Sequence, residues 1–133
     1  MRWSRKLFLK KCIAKDGHLC NSKEESVVDN FLFFNNIEHE REVLYPYHVL
    51  YNISGTKRND FLIHLLDGSP VYIEYAGLID KYDYSKKLDD KIELCKDLNI
   101  HLIVIYPYQL GQLQQVILHK IDKLNYSINN KYK

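Results

Sequence analysis

The stretch from Phe61 to Ala76 constrains this chain more than any other. Phe61 to Leu66 and Val71 to Ala76 are two apolar runs of strand length, and Asp67-Gly68-Ser69-Pro70 between them is a turn. The segment therefore reads as a β-hairpin. One residue breaks its pattern. Glu74 sits inside Val71-Tyr72-Ile73-Glu74-Tyr75-Ala76-Gly77, which otherwise reads as core. An unpaired buried carboxylate is expensive, so such a group is paired, protonated or bound to metal.

The remaining elements follow from periodicity. Ser22 with Glu25 three residues on fits a capping box, and Val28, Phe31, Leu32 and Asn35 continue at helical spacing. Val43 to Tyr47 is expected as a short strand, with Pro46 marking an edge or bend. A second helix is expected from about Tyr84 to Leu98, with Tyr84, Leu88, Lys91, Cys95 and Leu98 along one stripe. His101 to Tyr106 is a nearly unbroken apolar strand, expected to be buried on both faces. A third helix would carry Leu110, Leu113, Ile117, Ile121 and Leu124. The last strand follows a crossover helix and so should lie parallel to a strand of the hairpin. The expected class is α/β, a mixed sheet with helices packed on it.

Composition sets the outer limits. The 133 residues are 46% hydrophobic, 27% charged and 13% aromatic, which excludes a disordered, collagen-like or coiled-coil chain. One domain over 22–133 is expected, with an N-terminal appendage over 1–21 that holds Trp3, Cys12, His18 and Cys20. No apolar run is long enough to span a bilayer, and Met1 to Lys11 is basic without a leader-like apolar block. Three cysteines argue for reduced thiols and a cytoplasmic setting rather than a disulfide framework. A net charge of +2 permits a nucleic-acid partner without requiring one.

The candidate chemistry centres on carboxylates. Asp60 opens the first hairpin strand and Glu74 lies in the second, near the same end of the sheet. Four unpaired residues in the turn, with Leu66 facing Val71, would put them on opposite faces. Three or five, or one bulge, would put them on the same face. Glu25 lies on the apolar face of the first helix, and Lys91 on the apolar stripe of the second. Converging carboxylates with a lysine make a site for Mg²⁺, with Mn²⁺ as a substitute. Such an ion neutralises a phosphate and lowers the pKa of an attacking water. Lys57, Arg58, Lys81, Lys86 and Lys87 would steer a nucleic-acid backbone.

From Ser22 to Leu124 the chain resembles the PD-(D/E)xK nuclease superfamily. The order helix, three strands, helix, strand, helix is that of its restriction-endonuclease-like core. Glu25 matches the first-helix glutamate. Asp60, in Arg58-Asn59-Asp60-Phe61, matches the motif aspartate, with Asn in place of the preceding Pro. Glu74 matches the (D/E) position. The lysine position holds Ala76, and some branches carry this lysine on the following helix. Lys91 is the first candidate there and Lys87, one turn earlier, the second. The resemblance implies metal held by Asp60, Glu74, the Tyr75 carbonyl and Glu25, and hydrolysis of DNA phosphodiester bonds, with a homodimer cutting both strands or a monomer nicking one. It implies a phage, mobile-element or repair setting.

Blander readings stand beside these. Glu25 also serves as a helix cap, Asp60 as a turn residue, Glu74 as half of an inert ion pair, and Lys91 as a snorkelling side chain. The absent in-place lysine leaves open a catalytically degenerate fold that binds nucleic acid or protein. Cys12, His18 and Cys20, with His39 or His48, are residue types that ligate zinc, but their spacing is not a knuckle and buried cysteines usually serve as small hydrophobes. Tyr45-Pro46-Tyr47-His48 and Tyr106-Pro107-Tyr108 would stack on bases or, more simply, pack.

Overall fold

The computed structural model describes residues 12–78 and 80–131. Trp3 and the basic start of the chain lie outside the described residues. The chain divides into two compact units, one ending at Glu38 and the other beginning at His39. The boundary between the units follows the first helix. The cause is local bonding. The segment before the helix is tied to it through Lys15 N–H to Asn30 Oδ1 at 2.8 Å and through His18 Nδ1 with Asp29 Oδ2 at 3.0 Å.

The first unit is built on α1, Lys23–Phe34. Ser22 is its N-cap, and Ser22 Oγ accepts the Glu25 N–H at 3.1 Å, as the capping-box spacing predicts. The same hydroxyl lies 3.4 Å from Glu25 Oε2. Val28 and Leu32 are fully buried along one side of the helix. Ser22→Ala should lower stability by about 1 kcal/mol, the usual value of a lost N-cap. Urea denaturation followed by circular dichroism checks this.

The second unit is α/β. Its elements are β1 Glu40–Arg41, β2 Phe61–His64, β3 Pro70–Tyr75, α2 Tyr82–Asp97, β4 His101–Ile105 and α3 His119–Lys131. The four strands form one mixed sheet in the order β1-β2-β3-β4, flanked by helices. β2 pairs antiparallel with β3, and β3 pairs parallel with β4, as a crossover helix dictates.

The hairpin register decides the position of the carboxylates. His64 pairs with Pro70, so five residues, Leu65 to Ser69, form the connection. Leu65 N–H donates to the Ser69 carbonyl at 2.9 Å, and Gly68 takes φ +87°, which favours glycine. The odd loop satisfies the parity condition. Phe61 faces Ile73, so the next pair outward is Asp60 with Glu74, and cross-strand partners share a face.

The two faces of the sheet differ. Phe61, Ile63, Val71, Ile73, Ile103 and Ile105 are buried on one face. Leu62 and Tyr72 lie on the other and pack with Leu94 and Cys95 of α2 and with Tyr45. Glu74 shares this second face, two residues along from Tyr72.

Three expectations need correction. Val43 to Tyr47 is not a strand. Glu42 takes φ +55°, which ends β1, and Pro46 has no N–H to offer a ladder. Residues 43–45 still run beside 57–59, with Tyr45 N–H to Lys57 O at 2.8 Å and Asn59 N–H to Val43 O at 3.0 Å. β4 is not buried on both faces. It is a sheet edge among the described residues, where Leu102 and Val104 are half-buried and His101 is exposed. The third helix is not continuous. A 3₁₀ segment, Pro107–Gln112, and a π turn, Gln114–Leu118, precede α3, and Leu113 and Ile117 are the buried members of the stripe.

Candidate active site

Glu74 sits 2% exposed on β3, in the strand that the apolar pattern buries. Two groups reach its Oε1. Lys91 Nζ from α2 lies 2.9 Å away, and the Tyr45 hydroxyl donates at 2.7 Å. Glu74 Oε2 has no hydrogen bond among the described residues. Burial, together with the nearby charge of Asp60, raises the Glu74 carboxyl to about pH 7, and the Lys91 ammonium and the Tyr45 hydrogen bond offset only part of this rise.

Asp60 completes the pair. Its Oδ2 accepts the Tyr75 N–H at 2.7 Å, so the β2 end is fastened to β3 beyond the last ladder pair. Asp60 Oδ1 has no hydrogen bond among the described residues. Each carboxylate thus keeps one oxygen outside the protein's hydrogen bonds, on a shared sheet face. That donor set suits a hard divalent cation, which would also relieve the repulsion that raises the Glu74 carboxyl.

Lys91 is fixed by more than its ion pair. Its Nζ donates to the Arg58 carbonyl at 2.9 Å and lies 5.6 Å from the centre of the Tyr45 ring. The side chain is 18% exposed. The helical stripe that predicted an inward lysine is therefore borne out for Lys91. Lys87 is exposed and lines a surface hollow with Lys81, Tyr82 and Tyr84. Lys86 is exposed as well. Lys57 pairs with Asp90 at 3.2 Å, and Arg58 Nη1 donates to the Glu42 carbonyl at 2.7 Å.

The Tyr75 carbonyl, expected as a backbone ligand, accepts the Tyr84 hydroxyl. Glu25 belongs to the other unit, where it is buried at the start of α1.

Comparison with protein-family models, with curated protein sequences and with solved structures returned no match.

Tyr45 and Cys95 were not legible as members of this site. Tyr45 stacks on Tyr72 with ring centroids 4.5 Å apart, which aims its hydroxyl along the sheet to Glu74. Burial, and then the Glu74 charge, hold its phenol far above the ordinary value, so it remains a proton donor. Burial and the same charge push the Cys95 thiol up to about 11, which keeps it protonated beside the carboxylate. The available signal was that a buried tyrosine hydroxyl needs a partner, and Glu74 is a buried acceptor.

Cys12 and Cys20 pack with Ala14 in a small buried cluster. His48 lies in the other unit with both ring nitrogens engaged, Nδ1 accepting the Leu50 and Tyr51 N–H groups and Nε2 meeting Asp97. His39, also in that unit, sets its ring edge-on to Phe61 at 6.0 Å.

Proposed function

We propose that this chain is a divalent-metal-dependent DNA phosphodiester hydrolase with a restriction-endonuclease-like core. The observation that carries the reading is the juxtaposition of Asp60 and Glu74 on one sheet face with Lys91 on Glu74 at 2.9 Å. The PD-(D/E)xK motif needs two carboxylates from adjoining strands and a lysine. Here the lysine comes from α2 instead of the Ala76 position. The hairpin, crossover helix and parallel fourth strand agree with the superfamily's order of elements.

In this reading, Asp60 Oδ1 and Glu74 Oε2 hold Mg²⁺, or Mn²⁺ in its place, with the Tyr75 carbonyl as a further ligand. When bound, the ion neutralises the scissile phosphate and acidifies water. Lys91 orients the attacking water or meets the charge developing on the phosphate. Tyr45 keeps the Glu74 carboxylate in one rotamer. Lys81, Lys86 and Lys87 on the outer side of α2 attract the DNA backbone, and a homodimer would present two such sites to the two strands.

Supercoiled plasmid should be nicked in Mg²⁺ and left intact in EDTA. A protein that never cuts in Mg²⁺ or Mn²⁺ overturns the enzymatic reading.

A second reading has specific observations behind it. Ala76 stands at the lysine position, and the Tyr84 hydroxyl occupies one side of the Tyr75 carbonyl. Both fit a fold that has kept its site as a structural ion pair and binds nucleic acid without cutting. Retention of DNA on a gel with no product in either metal would select it.

A further inference from the structure

β4 ends at Ile105, and Tyr106 leads into the 3₁₀ segment Pro107–Gln112. The rings of Tyr106 and Tyr108 lie parallel, with 8° between their planes and 6.0 Å between their centroids. Tyr106 is half-buried, and Tyr108 is 75% exposed. We propose that the Tyr108 ring, seated on Tyr106, stacks an unpaired base next to the scissile phosphate, so that the substrate is single-stranded or locally melted DNA. The inference rests on the nuclease reading and adds to it the form of the substrate.

Register places the two rings beside the carboxylates. Glu74 is the Cα partner of Val104, and Tyr75 that of Ile105. Tyr106 keeps extended backbone, with φ −93° and ψ 157°, so it continues the alternation and shares the face of Val104 and Glu74. With strands about 4.8 Å apart and about 3.3 Å of rise per residue, the Cα atoms of Tyr106 and Glu74 are roughly 8 Å apart. The Ala76 N–H donates to the Ile105 carbonyl at 2.8 Å, which holds the two strand ends together. β4 has no further strand outside it among the described residues, so the rings stand at an open side of the sheet.

Packing does not account for Tyr108. A ring so exposed buries little apolar surface, and Tyr106 covers only one of its faces. The platform is nonetheless fixed. Pro107 restricts the backbone between the two rings. The Tyr106 N–H donates to Gln109 Oε1 at 3.0 Å, and the Gln109 N–H donates to the Tyr106 carbonyl at 2.8 Å. A tyrosine held in this way offers a large flat contact at small entropic cost.

The chemistry of the platform selects an unpaired base. Bases in a duplex are stacked on one another, and their flat faces are closed to a side chain. An unpaired base shows its face, and stacking on an aromatic ring accepts any sequence. Cations stand at the same end of the sheet. Lys81 and Lys87 line a surface hollow with Tyr84, whose hydroxyl on the Tyr75 carbonyl places that hollow at the end of β3. Cations that follow a backbone, together with a ring that takes its bases, are the combination that holds single strands.

The test uses the full chain carrying Glu74→Gln, so that nothing is cut. The probes are an oligothymidylate strand with one central 2-aminopurine and the duplex that it forms with its complement. The single strand should bind at least about tenfold more tightly than the duplex, and its 2-aminopurine emission should fall as the base stacks. Tyr108→Leu should weaken single-strand binding roughly 10- to 100-fold, abolish the emission change and leave duplex binding where it was. Tyr108→Phe keeps the ring and should bind like the unsubstituted chain. Circular dichroism confirms that both variants fold. No preference for the single strand, an emission change that survives Tyr108→Leu, or equal losses on strand and duplex overturns the proposal. Plasmid cutting by the native chain decides the nuclease reading separately. Cutting together with any of those results removes the platform alone. Stacking that depends on Tyr108 in a chain that never cuts removes the hydrolase and keeps the platform.

Discussion

Glu74→Gln should reduce Mg²⁺-dependent nicking on the order of a thousandfold while making the metal-free protein more stable at pH 8. The first effect follows from the proposed chemistry. Glutamine offers a neutral oxygen in place of a charged one, and loss of a metal ligand forfeits several kcal/mol of transition-state stabilisation, with each 1.36 kcal/mol worth a factor of ten. The second follows from burial. The Glu74 carboxyl titrates at about 7 in the fold against an ordinary value of 4.5. A raised acid pKa means that the folded state prefers the protonated form. Stability from this group is therefore complete below about pH 4.5 and is lost as pH rises through about 7. The loss is on the order of 3 kcal/mol. Glutamine keeps an oxygen for Tyr45 and Lys91 but carries no charge, so the variant should gain about that amount at pH 8 and nothing at pH 4. Chemical denaturation at both pH values, in EDTA, reads the difference. Equal stability of the two proteins at pH 8 would mean that Lys91 and Tyr45 already satisfy the carboxylate in full, as in an inert ion pair. Retained nicking would remove Glu74 from the chemistry.

The hairpin was legible because its signals are local. Asp67 and Gly68 mark the turn, apolar runs of strand length mark the strands, and the place of Glu74 in such a run marks the anomaly. Its register was not, because four- and five-residue connections differ only in whether Leu65 and Leu66 or instead Pro70 join the ladder. That single step decides whether Asp60 and Glu74 share a face. Lys91 was legible from helical spacing alone, since it falls between Leu88 and Cys95 on one stripe. Tyr45 was not, because residues 43–45 follow a left-handed Glu42 and run beside 57–59 without regular strand geometry. Nothing in the spacing of irregular chain says where a hydroxyl points. The flat burial expected of β4 failed for another reason. Apolar composition cannot tell a central strand from an edge strand half-covered by a helix.

Lys91→Met should separate the two roles of the lysine. In the fold, its ammonium is the nearest cation to Glu74 and lowers the carboxyl against burial and against Asp60. Without it, Glu74 has only the Tyr45 hydroxyl, and its carboxyl should titrate above 7. At pH 5 the carboxyl is protonated in both proteins, and the variant should lose the hydrogen bond to the Arg58 carbonyl, about 1 kcal/mol, and the weaker contacts of the ammonium with the neutral carboxyl and the Tyr45 ring. Above pH 7 the native protein ionises with its partner in place and the variant ionises without one. Removal of one member of a buried pair costs up to about 3–5 kcal/mol, so the gap should widen steeply between pH 7 and 9. The Tyr45 and Cys95 groups stay protonated across this window and do not obscure it. Denaturant midpoints measured at pH 5, 7 and 9 in EDTA give the curve. A gap that is constant across this range would show that Lys91 meets Glu74 without exchanging charge with it. Nicking measured at saturating Mg²⁺ then reads the other role. Divalent metal at Asp60 and Glu74 supplies the missing positive charge, so the variant should regain stability above pH 7 but not its cleavage rate. Recovery of both would reduce Lys91 to a structural counter-ion and pass the positioning of the attacking water to another group.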